Sequence, residues 1–178
     1  MNATDISVRL ATQADLDTVA QLYDELNAYL AAHVNYPGWK RGVYPVREDA
    51  QQGLDAGELY VAERAGEIVG TVICLHEQGA VYQSVAWAVA WDVPAIVLHI
   101  VAVHPRAFGT GVGEALMAHV ERLARAEGRR AIRLDTYEKN MPAARLYERC
   151  GFAFRGMVDL GIEGSAGLKW FRAYEKVL

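Results

Sequence analysis

Residues 97–117 read VLHIVAVHPRAFGTGVGEALM, and the fold turns on how that stretch is parsed. An apolar strand, Ile96 to Val103, runs through a turn containing Pro105 into a glycine cluster, Gly109, Gly111 and Gly113. An amphipathic helix follows, with Ala115, Leu116, Met117 and Val120 as its apolar members. A strand, a glycine loop and a helix in this order form an anion site. Glycine admits positive φ and close backbone approach, and the first N–H groups of a helix lack internal partners and carry the positive end of its dipole. A phosphate or pyrophosphate fits such a site, although the same glycines also serve a plain tight turn.

Two nucleotide readings lose ground on spacing. A phosphate-binding P-loop needs Lys and then Ser or Thr after its last glycine, and here Glu114 follows Gly113. A G-x-G-x-x-G fingerprint counted from Gly109 places Glu114 at the final glycine, and counted from Gly111 it places Leu116 there.

The segment Phe108-Gly109-Thr110-Gly111-Val112-Gly113, preceded by Val101-Ala102-Val103-His104-Pro105, resembles motif A of the GNAT superfamily, the Gcn5-related N-acetyltransferases, written Q/R-x-x-G-x-G/A. Phe108 stands where Gln or Arg is expected, and Arg106 is out of register. A second block, Asn140-Met141-Pro142-Ala143-Ala144-Arg145-Leu146-Tyr147-Glu148-Arg149-Cys150-Gly151-Phe152, is similar to the N-x-x-A-x-x-L-Y-E-x-x-G-F segment of that family.

The resemblance implies an α/β (α+β) fold: a mixed central sheet of about six or seven strands with helices on both faces and a V-shaped cleft for the acyl-CoA arm. It implies acetyl-CoA as cofactor, its pyrophosphate gripped by the backbone of Gly109, Thr110, Gly111, Val112, Gly113 and Glu114. The amides of Val101, Ala102 and Val103 would meet the pantetheine arm and the thioester carbonyl. Asn140 and Tyr147 would complete the cofactor site, and Tyr147 would protonate the departing thiolate.

Composition narrows the class. A chain of 178 residues matches one domain on a prior of about 150 residues per domain. With 52% hydrophobic and 22% charged residues it is an ordinary globular sequence. A net charge of −4 argues against nucleic acid as a partner, since such binders concentrate Lys and Arg on one face. The basic run Arg122, Arg125, Arg129, Arg130 and Arg133 is broken by Glu121 and Glu127 and reads as a solvated helix face. Cys74 and Cys150 are too few for a disulfide framework or a zinc site and read as buried thiols, so no metal is expected. The start of the chain has no basic region followed by an apolar run, so no signal peptide is read and a cytoplasmic protein is expected. The uncharged stretch Gly79 to Trp91 falls short of the roughly 20 residues of a membrane helix.

In chain order, Ile6 to Leu10 is the first strand. Thr12 with Asp15 resembles a capping box for a helix carrying Leu16, Val19, Leu22, Tyr23, Leu26 and Leu30. The aromatic loop His33 to Pro45 and a short helix from Arg47 to Ala56 follow. Leu59 to Glu63 and Ile68 to His76 form a hairpin around Arg64-Ala65-Gly66-Glu67. Residues 77–93 read as a loop or an extra strand. The helix after the glycines stops at Gly128, Ile132 to Thr136 is a strand, and Pro142 opens a helix ending at Cys150. Phe152 to Leu160 and Leu168 to Val177 complete the sheet.

Acetyl transfer to an amine needs a neutral amine, a stabilised oxyanion and an acid for the thiolate. His99 is the candidate base. The run Leu98-His99-Ile100-Val101-Ala102-Val103-His104 resembles that of the serotonin N-acetyltransferase branch, where the matching histidine helps take the amine proton through water, but Val97 replaces a second histidine of that run. As a lone histidine on an apolar strand, His99 also fits a purely structural role; Asp135, His76 and Glu77 are alternatives. Tyr36, Trp39 and Tyr44, with Asp135, are the candidate acceptor-site residues, and the three aromatics equally suit pinning their loop to the core. The expected partners are acetyl-CoA and an amine, without nucleic acid or membrane and with room for a homodimer. Three functions stay open: a small-molecule N-acetyltransferase, a non-catalytic acyl-CoA-binding module, and a protein N-terminal or lysine acetyltransferase.

Overall fold

The structure, a computed structural model, describes residues 6–178; residues 1–5, on which the signal-peptide expectation partly rests, lie outside it. Seven strands are hydrogen-bonded in the order β1-β2-β3-β4-β5-β7-β6. They are β1 (Ile6–Leu10), β2 (Leu59–Arg64), β3 (Glu67–Leu75), β4 (Ala95–Val103), β5 (Ala131–Tyr137), β6 (Ala153–Asp159) and β7 (Trp170–Val177). The helices are α1 (Leu16–Ala32), α2 (Arg47–Asp55), α3 (Val112–Ala126), α4 (Met141–Arg149) and the single turn α5 (Glu163–Ala166). The sheet is mixed, as expected: β4 and β5 run parallel, while β1 with β2, β2 with β3, and β7 with both β5 and β6 run antiparallel. The chain divides into two compact units, and β4 and α3 each pass from one to the other.

The first unit holds residues up to Asn35, Trp39–Cys74 and His99–Val120. Helix α1 buries Leu16, Val19, Leu22, Tyr23, Leu26 and Leu30 along one stripe, each full burial worth about 1.5–3 kcal/mol. Its entry is fixed by Asp15, whose Oδ2 accepts from the Thr12 N–H at 2.7 Å and from Arg9 Nη1 at 2.7 Å. Arg9 also reaches Glu63, and this guanidinium holds the Asp15 carboxyl well below the usual carboxylate range. The β2–β3 hairpin closes on Ala65 and Gly66, with φ of 53° and 79°, the two positive angles a tight two-residue turn requires.

Both faces of β3 are covered within this unit. Thr71 bonds Tyr23 of α1, and the space beside Gly53 of α2 is filled by Ile73. On the opposite face Gly70 lies so close to the start of α3 that an added Cβ would sit 2.7 Å from Val112 Cγ1 and 3.2 Å from the Ala102 carbonyl oxygen. Glycine is needed there because no larger residue leaves room for the helix.

The second unit holds Tyr36–Gly38, Leu75–Leu98 and Glu121–Leu178. β4 pairs with β5 from Ala95↔Ala131 to Leu98↔Leu134; β4 then runs on through His99 to Val103 and β5 through Asp135 to Tyr137. Tyr174 of β7 meets Tyr147 of α4 with ring centroids 6.1 Å apart, which puts α4 on that face. The other face is covered by the segment 77–93, a loop containing one 3₁₀ turn, Ala80–Ser84. There Val85, Val158, Phe171 and Ala173 form a small core, flanked by Tyr82, Trp87 and Tyr137.

Two sequence expectations are corrected. Arg133 is not part of a solvated basic helix face: it lies in β5, 1% exposed, with Nε 3.1 Å from Glu175 Oε1. Its Nη2 donates to Val89 and Ala90 carbonyls, Nη1 to Gln78, and its guanidinium lies 4.7 Å from the Trp87 ring centre. The charge is buried because every side of it meets a carboxylate, carbonyl or aromatic face. Arg122 and Arg125 do face solvent on α3. Cys150 is half-buried rather than sealed, because it follows the last turn of α4, whereas Cys74 is fully buried inside β3.

Candidate functional site

The glycine turn is built entirely within the first unit. After β4 the chain makes a 3₁₀ turn, Pro105–Ala107, capped by His104, whose Nδ1 accepts from the Arg106 N–H at 3.2 Å and whose Nε2 donates to Glu25 at 2.6 Å. The Glu25 carboxyl is held below its ordinary range chiefly by that imidazole. Gly109 and Gly111 then take φ of 70° and 88°, and a Cβ built on either meets nothing within 4 Å. Helix α3 follows at once. Ala115 N–H makes a helical bond to Gly111 O at 3.0 Å, so the amides of Val112, Gly113 and Glu114 precede the ladder and head the helix dipole. Thr110 serves the turn itself, with both N–H and hydroxyl on Ala107 O, at 3.4 and 2.8 Å. Phe108 is exposed, and its ring meets the Tyr29 ring edge-on at 5.5 Å.

Ahead of the turn, β4 carries a feature that sequence reasoning missed. Ile100 has φ of 46°, a left-handed conformation that is a true outlier for a β-branched residue. Such strain persists only where the surroundings over-determine it, and it clusters at functional sites. It lies between His99 and the candidate amides of Val101, Ala102 and Val103. An isoleucine in an apolar run gives no sign of it.

His99 is exposed, and its Nε2 lies 2.9 Å from the Tyr44 hydroxyl. Trp39 packs edge-on against the Tyr44 ring, with centroids 5.9 Å apart. The structure thus brings together three residues nominated from sequence for two different roles. Tyr36 belongs to the second unit.

In the second unit, Asn140 caps α4, its Oδ1 accepting from the Ala143 N–H at 3.4 Å. Tyr147 is buried on α4 between Phe152 and Tyr174. Burial, helped by the Asp135 charge, pushes its phenol up, so the group keeps its proton far into the alkaline range. Asp135 takes a 2.6 Å hydrogen bond from Tyr82, a residue that sequence reasoning did not single out because it sits in a segment without periodicity. His76 pairs with Glu127 at 3.0 Å. With Glu77, Gln78, Trp91, Arg129 and Arg133 it lines a cleft of about 400 Å³ beside the opening residues of β4. No cluster of His, Cys, Asp and Glu fit for a metal occurs among the described residues, and none of their helices is long and apolar enough to cross a membrane.

An open, mixed sheet whose fourth strand leads through a glycine turn into a helix N-terminus is the α/β class of fold that the sequence motifs imply. The chain belongs to the acetyltransferase (GNAT) family, whose model matches residues 19–152. Over 121 residues it is 31% identical to streptothricin acetyltransferase of Streptomyces lavendulae, a match taking in 67% of this chain and 57% of that protein. The chain therefore spans little more than half the length of that relative. Among solved structures it is similar to a GNAT-family acetyltransferase of Streptococcus agalactiae, with a TM-score of 0.78 and 21% identity over 97% of this chain and 95% of that one. It is also similar to yncA of Salmonella typhimurium, solved with its cofactor acetyl-CoA, with a TM-score of 0.69 and 18% identity over 98% and 95% of the two chains.

Proposed function

We propose that the chain is an acetyl-CoA-dependent N-acetyltransferase acting, as one domain in the cytoplasm, on a primary amine of a small molecule. The observation that carries this reading is the pair Gly109 and Gly111. Both have positive φ and open space where a side chain would stand, directly before the amides that open α3. That cradle fits a pyrophosphate, since a bulky anion can reach the backbone there. Streptothricin acetyltransferase supports a small-molecule acceptor by its name, at 31% identity.

Acetyl-CoA bound there supplies an acetyl group already activated as a thioester. The remaining tasks fall to this chain's residues. The amides of Gly109 and of Gly111 to Glu114 bind the pyrophosphate while Thr110 braces the turn, those of Val101 to Val103 orient the acyl arm and stabilise charge on the carbonyl oxygen, and Asn140 shapes the turn before α4. Tyr147, kept protonated by burial, donates a proton to the leaving sulfur. His99 takes the proton of the amine, which must be neutral to attack. Trp39, Tyr36 and Asp135 serve the acceptor, aromatic faces and a carboxylate both being suited to an ammonium.

The test is a thiol-release assay with acetyl-CoA and a panel of amines, alongside calorimetric titration of acetyl-CoA. Saturable thiol release with one amine class supports the reading. Tight acetyl-CoA binding with no turnover on any amine or peptide overturns the enzyme in favour of a binding module.

A further inference from the structure

We propose that His104 is a positioning residue for the glycine turn: as a neutral ring with its hydrogen on Nε2 it caps the 3₁₀ turn that leads into the cradle, and a second proton releases that cap and weakens the hold on an anion. This rests on the reading of the glycine turn as the acetyl-CoA pyrophosphate site.

The proton's place follows from the two partners. A backbone N–H can only donate, so Nδ1, 3.2 Å from the Arg106 nitrogen, must bring its lone pair. The neutral ring then carries its hydrogen on Nε2, where the Glu25 carboxylate accepts it at 2.6 Å. Both ends of the imidazole demand the same tautomer.

The cap matters because of where the turn sits. Pro105 has no N–H, and the Ala107 N–H goes to His104 O at 2.8 Å, so the imidazole serves the Arg106 N–H between them. Ala107 O in turn receives the N–H and hydroxyl of Thr110, which stands between Gly109 and Gly111. Short bonds therefore lead in sequence from the ring to the cradle. The His104 backbone is itself fixed, its N–H donating to Val69 O of β3 at 2.9 Å.

Protonation breaks one end only. From α1 the ring is faced by Glu25, which Gln21 also bonds at 2.6 Å; from the turn it is faced by Arg106, whose guanidinium pairs with Glu67 of β3 at 3.1 Å. An imidazolium keeps its bond to Glu25, and that carboxylate meets the new charge. At Nδ1, however, an N–H would oppose the Arg106 N–H, so the ring must leave the turn. The His104 side chain is 13% exposed, which leaves water little room to replace it as acceptor. Anion binding is full on the alkaline side and declines as pH falls through the titration of this ring.

Two variants divide the ring between its ends. His104→Asn keeps an acceptor near the place of Nδ1 and cannot titrate, whereas His104→Gln keeps a donor for Glu25 near the place of Nε2 and gives up the cap. The measurements, on the full chain, are ¹⁵N NMR of the His104 imidazole across pH and calorimetric acetyl-CoA affinity over the same range. The neutral native ring is expected to show its hydrogen on Nε2, and affinity to fall about tenfold as the ring gains charge, the size of effect a lost cap produces, with the two midpoints coinciding. His104→Asn should bind natively at alkaline pH and lose that acid-side fall, leaving only the titration of the ligand's own phosphate, which both proteins share. His104→Gln should bind about tenfold more weakly at alkaline pH. A neutral ring protonated at Nδ1, an identical pH dependence in the native and His104→Asn proteins, or native affinity in His104→Gln each overturns the proposal even where Gly111→Val weakens binding. No binding by the native chain, or binding that Gly111→Val leaves unchanged, takes the cofactor away from the turn and the proposal with it.

Discussion

Arg133 and Glu175 stand directly opposite each other in the β5–β7 ladder, joined at 3.1 Å with side chains 2% and 0% exposed. The pair holds more than itself. Glu175 also accepts from the Ala88 N–H at 2.7 Å, while Arg133 holds the carbonyls of Val89 and Ala90, so the same ion pair ties residues 88–90 to the sheet. Glu175→Gln preserves the shape and leaves Arg133, and Arg155 at 3.2 Å, without their anion. Removing one partner of a buried pair costs about 3–5 kcal/mol, and urea unfolding should show a loss of that size. A midpoint within experimental error of the native value would mean that water reaches the guanidinium.

The Arg9–Asp15 contact sets an acid limit on stability. Because Arg9 depresses the Asp15 carboxyl in the folded chain, the contribution is fully present above the unfolded carboxylate pKa of about 3.9 and disappears as pH falls through the lower folded value. Asp15→Asn should therefore cost about 2 kcal/mol at pH 7, and the difference from the native chain should shrink steadily below about pH 4. Denaturant melts at a series of pH values check this; a constant difference down to pH 2 would contradict it.

At the glycine turn, Gly111→Val places a branched side chain at φ 88°, in the space the cradle keeps open. Acetyl-CoA affinity is expected to fall at least 100-fold, because the backbone approach that a pyrophosphate needs is blocked. Calorimetry measures it, and an unchanged affinity would move the cofactor elsewhere.

Tyr147→Phe removes one hydroxyl from a buried, closely packed ring. Turnover is expected to drop about 100-fold, at the low end for general acid–base catalysis, with Tm nearly unchanged. Since burial raises the phenol, native activity should not decline through the ordinary tyrosine range near pH 10 on account of this group. Near-native turnover in the variant, with chemistry limiting, would take Tyr147 out of the mechanism.

What was legible in the sequence was local. The glycine turn, the Thr12–Asp15 capping box, the Ala65-Gly66 hairpin and the helical stripe of α1 each declare themselves within a few residues, because turns, caps and amphipathic faces are short-range devices. Arg133 misled because it continues a run of arginines, and the partner that lets it be buried lies 42 residues on. Tyr44 and His99 were each legible as candidates, yet their contact spans 55 residues, and no periodicity reports a side-chain meeting at that distance. Ile100 was invisible for a different reason: its residue type argues for an extended strand, whereas in the folded chain its φ is 46°.

Gly70 gives the glycine turn a thermodynamic character. With the start of α3 seated directly on β3, the helix amides and the end of β4 are parts of one solid body, and neither has to be gathered when an anion arrives. The entropy of arranging those donors was spent during folding, so capture at that end of the helix resembles docking to a rigid surface more than closing a loop. A single methyl group at Gly70 would stand 2.7 Å from Val112 Cγ1 and 3.2 Å from the Ala102 carbonyl oxygen, so the first turn of the helix or its valine would have to give way, at the cost of that preformed arrangement.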